Sequence, residues 1–287
     1  MKNQKKAPLV SIIIPTYNSE RTLRQCLQSI KEQTYKRTET IVVDSYSRDE
    51  TVKIAKDFKA KVFHVTKERS VAKNLGTKNA QGKYLLFLDS DMELSPNVVE
   101  ECVKLCEKEN FDAAVIPETT AAIGFLAECR KLEVELYSYD PNYFLMPRFF
   151  RKTAFLKEGG FDEKLICGED FDLARRYERH GYLIGIITQP VRHLEGKLSL
   201  KKIVLKAHYY GKSLPSFFSK EPALVLRGHC PTRFIWNFKR LIKKPVHLVG
   251  LVVIKLVEYI SYFIGIFNSM VRLDSPKRGE NEAPNFY

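Results

Sequence analysis

Short continuous apolar runs alternate with longer amphipathic segments along the first 117 residues of the chain. Residues 9–14 (LVSIII) form the first run, which is typical of a strand buried on both faces of a sheet. Residues 20–33 instead place apolar side chains three or four positions apart, which predicts an amphipathic helix. The same alternation predicts further strands at 40–43, 61–65, 83–88 and 112–117, and further helices at 48–58, 69–80 and 96–109.

This order of elements predicts an α/β fold with a mainly parallel sheet that carries helices on both faces. Ligands of such sheets bind beyond the carboxyl ends of the strands. Asp44, Asp89 and Asp91 follow predicted strands directly, and the turn at residues 15–20 follows the first strand. We therefore expect a ligand site lined by carboxylates at this edge of the sheet.

Two of the predicted helices carry start signals in the sequence. Ser47 followed three residues later by Glu50 fits a capping box, which predicts a helix opening at residue 48. Ser95 directly before Pro96 predicts a helix with Ser95 as its N-cap.

The stretch from 121 to 187 is less regular than the first part of the chain. It predicts a helix at 122–138 and a strand at 144–151. A last helix begins near Glu169, and Gly181 is placed to close it.

Net charge and cysteine usage limit the classes of partner and compartment. The 287 residues carry 47 Lys and Arg against 34 Asp and Glu, a net charge of +13. Such an excess favours an anionic partner: a phosphorylated ligand, an anionic membrane surface or nucleic acid. The six cysteines form no CxxC pair, which indicates a reducing compartment rather than a zinc or disulfide framework. The apolar run at 9–14 is too short for a signal peptide.

The Asp89-Ser90-Asp91 triplet is the strongest candidate for chemistry. Two carboxylates at a strand-to-turn junction can point at one spot, and such oxygen ligands suit Mg2+ or Mn2+. Mg2+ held by one or two carboxylates leaves its other positions to water and substrate phosphates. A cation would thereby turn an acidic site into a receptor for an anion. The alternative is that Asp and Ser only terminate the strand.

Four segments in this order resemble glycosyltransferase family 2, whose nucleotide-sugar-binding fold is called GT-A. They are VSIIIPTYNSERTLRQCLQSI, TIVVDSYSRDET, NLGTKNAQGKYLLFLDSDMEL and GEDFDLARRYERHGY, and the similarity spans about residues 9–195. The resemblance implies a GT-A domain at 1–195, with a nucleotide-sugar half at about 9–117 and an acceptor half at about 118–195. Residues 196–273 would form a C-terminal helical region, and 274–287 a disordered tail.

The resemblance also assigns roles to residues around a UDP- or GDP-linked sugar. Asp91 would be the main metal ligand, Asp89 would contact ribose or metal, and Asp44 would bind the base. The other residues expected near the donor are Pro15, Thr16, Tyr17, Glu20, Arg69, Lys73, Asn74 and Ser90. The family's usual Asp-Asp-Gly-Ser is replaced here by Asp44-Ser45-Tyr46-Ser47, which leaves uracil and guanine both open.

The resemblance places the catalytic base at Asp170, with Glu169 beside it. An acceptor hydroxyl is a poor nucleophile, so a carboxylate must take its proton as it attacks C1, and direct displacement inverts the anomeric centre. The alternative is that these acids only favour a helix N-terminus. His193 follows the last core strand and is either a further metal ligand or a structural histidine.

Residues 245–270 are almost wholly apolar and long enough to cross a bilayer. Two charges interrupt them and fall on a narrow polar stripe that consists of His247, Leu251, Lys255, Glu258 and Tyr262. A helix lying in the membrane plane avoids burying those charges in lipid. Basic residues between 227 and 244 surround Phe234, Trp236 and Phe238, which suits an anionic headgroup surface.

These features predict a membrane-associated enzyme at the cytoplasmic face, with a polyprenyl- or dolichyl-linked or glycan acceptor. The alternatives for 245–270 are a soluble helical subdomain packed on the core or an oligomer contact. Alternatives for the whole chain are a catalytically inactive GT-A scaffold that binds membrane or protein partners, and a nucleotidyltransferase. Nucleic acid is not expected as a partner, because the chain shows no recognition-helix motif and long apolar runs interrupt its basic clusters.

Overall fold

The computed structural model describes residues 7–66, 68–121, 123–137, 146–165, 167–194, 198–220, 222 and 238–273. The predicted tail at 274–287 and the basic aromatic segment before residue 238 lie outside these ranges. Within them, the strands are β1 (Val10–Thr16), β2 (Thr38–Asp44), β3 (Lys61–His64), β4 (Tyr84–Phe87), β5 (Met92–Leu94), β6 (Ala113–Val115), β7 (Glu118–Thr120), β8 (Phe149–Arg151), β9 (Ile184–Ile186) and β10 (Val191–His193).

Seven of these strands form one mixed, mostly parallel sheet in the order β3-β2-β1-β4-β8-β6-β9. The first four are parallel, as predicted from the alternating pattern, and β8 runs antiparallel between β4 and β6. The register aligns Thr16 with Asp44, so β1 and β2 end side by side. The carboxyl ends of β1, β2 and β4 therefore meet at one edge, where the sequence predicts the site.

The helices are α1 (Glu20–Lys31), α2 (Thr51–Asp57), α3 (Arg69–Asn79), α4 (Val98–Lys108), α5 (Phe125–Tyr137), α6 (Lys152–Lys157), α7 (Glu169–Arg179), α8 (Leu200–Lys220), α9 (Phe238–Leu241) and α10 (Pro245–Leu273). Apolar residues of α1, α2 and α4 pack on one face of the sheet. Those of α3, α6 and α7 pack on the other face. Cys102 and Cys106 lie inside the first layer as packing residues. Burial of both faces explains the continuous apolar runs within β1, β2 and β4.

Both predicted helix starts are wrong. The second helix begins at Thr51, and the Ser47 hydroxyl instead contacts Asp44 and accepts from the Asn18 N–H at 2.8 Å. The fourth helix begins at Val98 with Asn97 as its N-cap, while the Ser95 carbonyl accepts from Val98 N. In both places the serine belongs to a turn that precedes the helix. For Ser47 the competing polar partner of the hydroxyl is Asp44.

A second small sheet has the order β5-β10-β7 and was not predicted. Each of its strands has only three residues, too few for an alternating pattern to stand out. The pairing of β10 with β5 aligns His193 with Met92, directly after the Asp89-Ser90-Asp91 triplet.

The C-terminal helices form one layer against the rest of the chain. Gly211 of α8 and Gly265 of α10 allow a close crossing, since a Cβ on either would lie within 2.5 Å of a backbone carbonyl of the facing helix. Two charged residues within α10 are paired inside the protein: Lys255 pairs with Glu133 and with Glu258, and Glu258 pairs with Arg130. By length and composition alone, the helix from Pro245 to Val271 is long and apolar enough to cross a membrane.

Candidate functional site

The end of β2 places Asp44 on the floor of the expected nucleotide site. Its carboxylate is fully buried and accepts hydrogen bonds from Thr16 Oγ1 at 2.9 Å and from Ser47 N at 2.8 Å. His64 Nδ1, on the neighbouring strand, lies 3.5 Å from Asp44 Oδ2. Asp44 therefore ties together the turns that follow β1 and β2.

Tyr46, which departs from the family pattern, adopts the left-handed conformation that glycine favours. Its φ is 57°, and its ring stacks on His64 with 5.3 Å between centroids. Bulky residues rarely adopt this conformation, and such strain concentrates at functional sites. The pair presents an exposed aromatic side chain beside Asp44.

The turn after β1 is held by reciprocal contacts with the turn after β2. Glu20 N donates to Asp49 Oδ2 and Glu50 N donates to Glu20 Oε2, both at 3.1 Å. Ser90 Oγ donates to Ser19 Oγ at 2.9 Å and connects this turn to the end of β4. Pro15 and Thr16 are buried at the end of β1, whereas Tyr17 is partly exposed. The structure thus brings the predicted donor residues of the first two motifs to one edge.

Asp89 follows β4 and is paired with a cation that the sequence did not single out. Arg148 Nη1 donates to Asp89 Oδ2 at 3.1 Å, and Arg148 Nε donates to Glu118 Oε1 at 2.9 Å. Burial alone would raise the pKa of Asp89, but the charges of Arg148 and Lys73 outweigh it and hold that pKa well below its usual range. Asp89 is therefore ionised at neutral pH.

Asp91 lies two residues on, and its environment differs from that of Asp89. Asp91 Oδ1 is buried and has no hydrogen-bond partner within the part of the chain that the structure describes. His193 Nδ1 lies 3.3 Å from the other oxygen, Oδ2. The β5–β10 pairing brings this imidazole to the triplet, with Leu194 N donating to the Asp91 carbonyl at 2.7 Å.

These donors fit a hard divalent cation with few protein ligands. Among the described residues no group of three or more His, Cys, Asp or Glu side chains is placed to hold a metal. An unpartnered buried carboxylate oxygen beside an imidazole supplies two ligands, and Mg2+ or Mn2+ bound this way takes the remainder from water and phosphate oxygens. Asp91 and His193 are thus the residues that could hold the expected metal, while Asp89 is engaged by Arg148.

The two acids at the start of α7 are held by a lysine of α3. Lys73 is fully buried, and its Nζ lies 3.2 Å from Glu169 Oε1 and 3.1 Å from Asp170 Oδ1. Burial would lower the pKa of Lys73, but the charges of Asp170 and Glu169 raise it above the ordinary value. Glu169 has a side chain only 4% exposed, whereas that of Asp170 is 32% exposed. Of the two acids, Asp170 is the one that a bound molecule can reach.

Two other residues of α3 were expected near the donor. The amide of Asn74 bonds both backbone groups of Phe161, at 2.9 and 3.1 Å, and so fixes the loop before α7. Arg69 Nη2 donates to Tyr210 OH of α8 at 3.4 Å, and its charge also contributes to lowering the pKa of Asp89. Arg69 therefore faces the acid cluster, and Asn74 serves the loop.

Comparison with known proteins gives the family. The model of the family described as "Glycosyl transferase family 2" matches residues 11–161, more than half of the chain. The chain belongs to this family. An uncharacterised glycosyltransferase of Rickettsia prowazekii is 40% identical over 199 residues, which cover 62% of this chain and 61% of the relative. Poly(ribitol-phosphate) beta-N-acetylglucosaminyltransferase TarS of Staphylococcus aureus is 28% identical over 175 residues, 56% of this chain and 30% of its own length. The chain thus spans less than two thirds of these curated relatives.

Solved structures confirm the GT-A class of the fold. The mannosyltransferase PcManGT of Pyrobaculum calidifontis, solved with GDP-Man and Mn2+, matches 96% of this chain and 77% of its own with a TM-score of 0.59 and 20% identity. S. aureus TarS 1-349, solved with UDP-GlcNAc, matches 96% of this chain and 95% of its own with a TM-score of 0.53 and 15% identity. At these identities the likeness concerns the fold.

Proposed function

We propose that this protein is a glycosyltransferase that moves a sugar from a UDP- or GDP-linked donor to an acceptor hydroxyl or phosphate with inversion at the anomeric carbon. One observation carries the proposal: Lys73 connects the acids at the start of α7, which include the expected catalytic base, with Asp89 on the donor side. Its amine contacts Glu169 and Asp170 directly, and its charge also lowers the pKa of Asp89. The donor and acceptor sides of the site therefore share one buried cation.

The donor side consists of the ends of β1, β2 and β4. The family, and the nucleotide sugars named for PcManGT and TarS, support a nucleotide-sugar donor at this edge. Arg69, Lys73 and Arg148 supply positive charge around Asp89, which suits a diphosphate. A Mg2+ or Mn2+ ion held by Asp91 and His193 would offset charge on the departing nucleotide.

The acceptor side consists of Asp170 at the start of α7. Its partly exposed carboxylate accepts the proton of an acceptor hydroxyl as that oxygen attacks C1 of the sugar. Lys73 Nζ lies 3.1 Å from Asp170 Oδ1 and holds this carboxylate in place. Glu169 is buried and also contacts the Lys73 amine, and so helps to fix the direction in which Lys73 points.

The outer face of α10 favours attachment to an anionic membrane. Eight exposed apolar residues recur at spacings of three and four and include no charge: Val246, Val249, Val253, Leu256, Ile260, Phe263, Phe267 and Met270. Exposed Lys239, Lys243 and Lys244 precede this helix and complement anionic headgroups. Since the internal charges of α10 pair with α5, the helix lies on the bilayer as part of the folded protein. A polyprenyl- or dolichyl-linked acceptor at the cytoplasmic face fits this placement.

The experiment is a thermal-shift and turnover screen of the full chain with UDP- and GDP-sugars, with Mn2+ or with a chelator. We expect one nucleotide class to raise the melting temperature, because a ligand that binds only the folded state stabilises it. Asp91→Asn should weaken the metal-dependent part of that shift, and Asp57→Asn, an exposed acid on α2, should leave it unchanged. Absence of any shift or turnover with every donor would refute the proposal.

A further inference from the structure

The segment that leads into α7 is held in place by one face of α8. Ser213, Phe217 and Lys220 are spaced by four and three residues, so they project from the same side of this helix. Phe217 and Leu214 pack with Leu165 and Phe171 in a separate apolar cluster around the catalytic segment. The C-terminal helical region therefore forms part of the site's wall.

Phe217 sits directly against the turn that starts α7. Gly168 is the N-cap of that helix and has a φ of 80°, in the left-handed region. A Cβ built on Gly168 would lie 2.9 Å from atoms of the Phe217 ring. Because Asp170 is two residues further on, the ring limits the positions that the acid can take.

Polar contacts of α8 reinforce the same turn. Ser213 Oγ donates to the Tyr210 carbonyl at 2.9 Å and lies 2.9 Å from Cys167 Sγ. Lys220 Nζ pairs with Asp172 Oδ1 at 2.6 Å and with Asp162 Oδ2 at 2.7 Å. The helix thus contacts residues before, within and after the Gly168 turn.

The adjacent turn of α8 reaches the helix that carries Lys73. Tyr209 OH donates to Glu68 Oε2 at 2.8 Å, next to the start of α3, and Arg69 donates to Tyr210 OH. One helix therefore contacts both elements whose side chains meet in the Lys73–Asp170 pair. The residues expected to hold the nucleotide base and ribose lie elsewhere, at the ends of β1, β2 and β4.

We propose that Phe217, supported by Ser213, is a positioning residue that sets Asp170 for proton transfer through the Gly168 turn. The proposal rests on the transferase function inferred above and extends it to a helix outside the residues matched by the family model. Loss of the Phe217 ring lets the turn relax toward α8 and moves Asp170 away from the acceptor. Turnover should fall, while donor binding should stay the same.

The test compares Phe217→Ala with Phe218→Ala in the full chain. The neighbouring Phe218 is 45% exposed, whereas Phe217 is 6% exposed, so the control removes the same group from the outer face. We expect kcat of Phe217→Ala to fall about 100-fold, the scale of an ångström-sized misplacement, with the donor KM unchanged. Phe217→Leu should restore most of kcat, because it refills much of the space beside Gly168.

Ser213→Ala supplies a second variant without a large cavity, and we expect a smaller loss of kcat with the same unchanged donor KM. Equal losses in Phe217→Ala and Phe218→Ala would overturn the positioning role. So would a rise in donor KM at constant kcat, or wild-type turnover in both Phe217→Ala and Ser213→Ala. A wild-type chain that transfers no sugar from any donor would instead refute the proposed function itself.

Discussion

Lys73 is the residue whose removal should reveal most about the site. It is 2% exposed on α3, with carboxylate oxygens of Glu169 and Asp170 at 3.2 and 3.1 Å and the Phe161 ring centroid at 4.7 Å. Lys73→Met keeps the length and apolar volume of the side chain but removes its charge. The variant leaves buried Glu169 without its cation, whereas Asp170 retains partial access to water.

The size of the effect follows from the burial of this pair. Removing one partner of a buried ion pair costs about 3–5 kcal/mol, because the other charge remains without compensation. Only Glu169 is fully buried, so we expect a loss of about 3 kcal/mol in the free energy of unfolding. Adding Glu169→Gln to Lys73→Met should recover part of that loss, as expected for residues in direct contact.

The pH dependence of this difference has a definite sign. The pKa of Lys73 is raised in the folded protein, so its stabilising contribution is complete below the ordinary value of 10.5 and is lost as pH rises through the higher folded value. The gap between wild type and Lys73→Met should therefore stay constant from neutral pH to about pH 10 and shrink above it.

Urea unfolding followed by circular dichroism measures the effect, with Lys78→Met as the matched control on the same helix. Lys78 is exposed, so its replacement should change stability by no more than about 0.5 kcal/mol. A loss below about 1 kcal/mol in Lys73→Met, or equal losses in the two variants, would refute the view that Lys73 neutralises a buried acid pair.

Three further predictions concern the surroundings of the site. Gly168→Ala should lower the free energy of unfolding by about 1–3 kcal/mol and reduce turnover, because the φ of residue 168 is positive and the new Cβ meets Phe217. Thermal melting and a transfer assay measure the two effects. A variant with unchanged stability and turnover would contradict the close contact. Lys220→Met should cost about 0.5–1 kcal/mol at pH 7. The Lys220 hydrogen bond lowers the pKa of Asp162, so the stability that this pair contributes is present above the ordinary pKa of 3.8 and is lost as pH falls through the lower pKa of the folded protein. Urea unfolding at pH 7 and pH 3 should show that the stability difference between wild type and Lys220→Met shrinks at the lower pH. A constant difference would contradict the pairing. Phe263→Glu, at a side chain 76% exposed on α10, should abolish co-sedimentation with anionic vesicles without changing the melting temperature, and retained sedimentation would contradict membrane docking through this face.

The sheet edge could be predicted because several signals in the sequence agree there. Continuous apolar runs mark strands buried on both faces, and parallel strands necessarily bring their carboxyl ends together. The pattern therefore predicts the correct edge of the sheet for Asp44, Asp89 and Asp91. The length and apolar content of residues 245–270 likewise leave few alternatives to a helix.

Arg148 could not be found in this way. It precedes β8, a strand that runs antiparallel between two strands that are distant from it in sequence. Its guanidinium reaches Asp89 only through that pairing, and nothing in the local pattern around residue 148 indicates which neighbours the strand takes. The position of Phe217 against Gly168 is likewise a contact between distant elements, which periodicity within one helix cannot reveal.

Local signals misled where polar side chains had more than one partner. The Ser47–Glu50 spacing fits a capping box, yet Asp44 is only three residues earlier and accepts from both the N–H and the hydroxyl of Ser47. A buried carboxylate is a stronger partner for the serine than a helix N-terminus exposed to water. On the polar stripe of α10, Lys255 and Glu258 similarly pair with protein groups, Glu133 and Arg130 of α5.

The central claim is that Asp170 takes the acceptor's proton at a site where the nucleotide-sugar is already bound. Pre-steady-state transfer and donor titration by calorimetry, made on the same preparation of Asp170→Asn, test it most directly. We predict donor affinity equal to that of the wild type and transfer slowed by about 10²–10⁴-fold, the usual contribution of a general base. Transfer at the wild-type rate in Asp170→Asn would contradict the account.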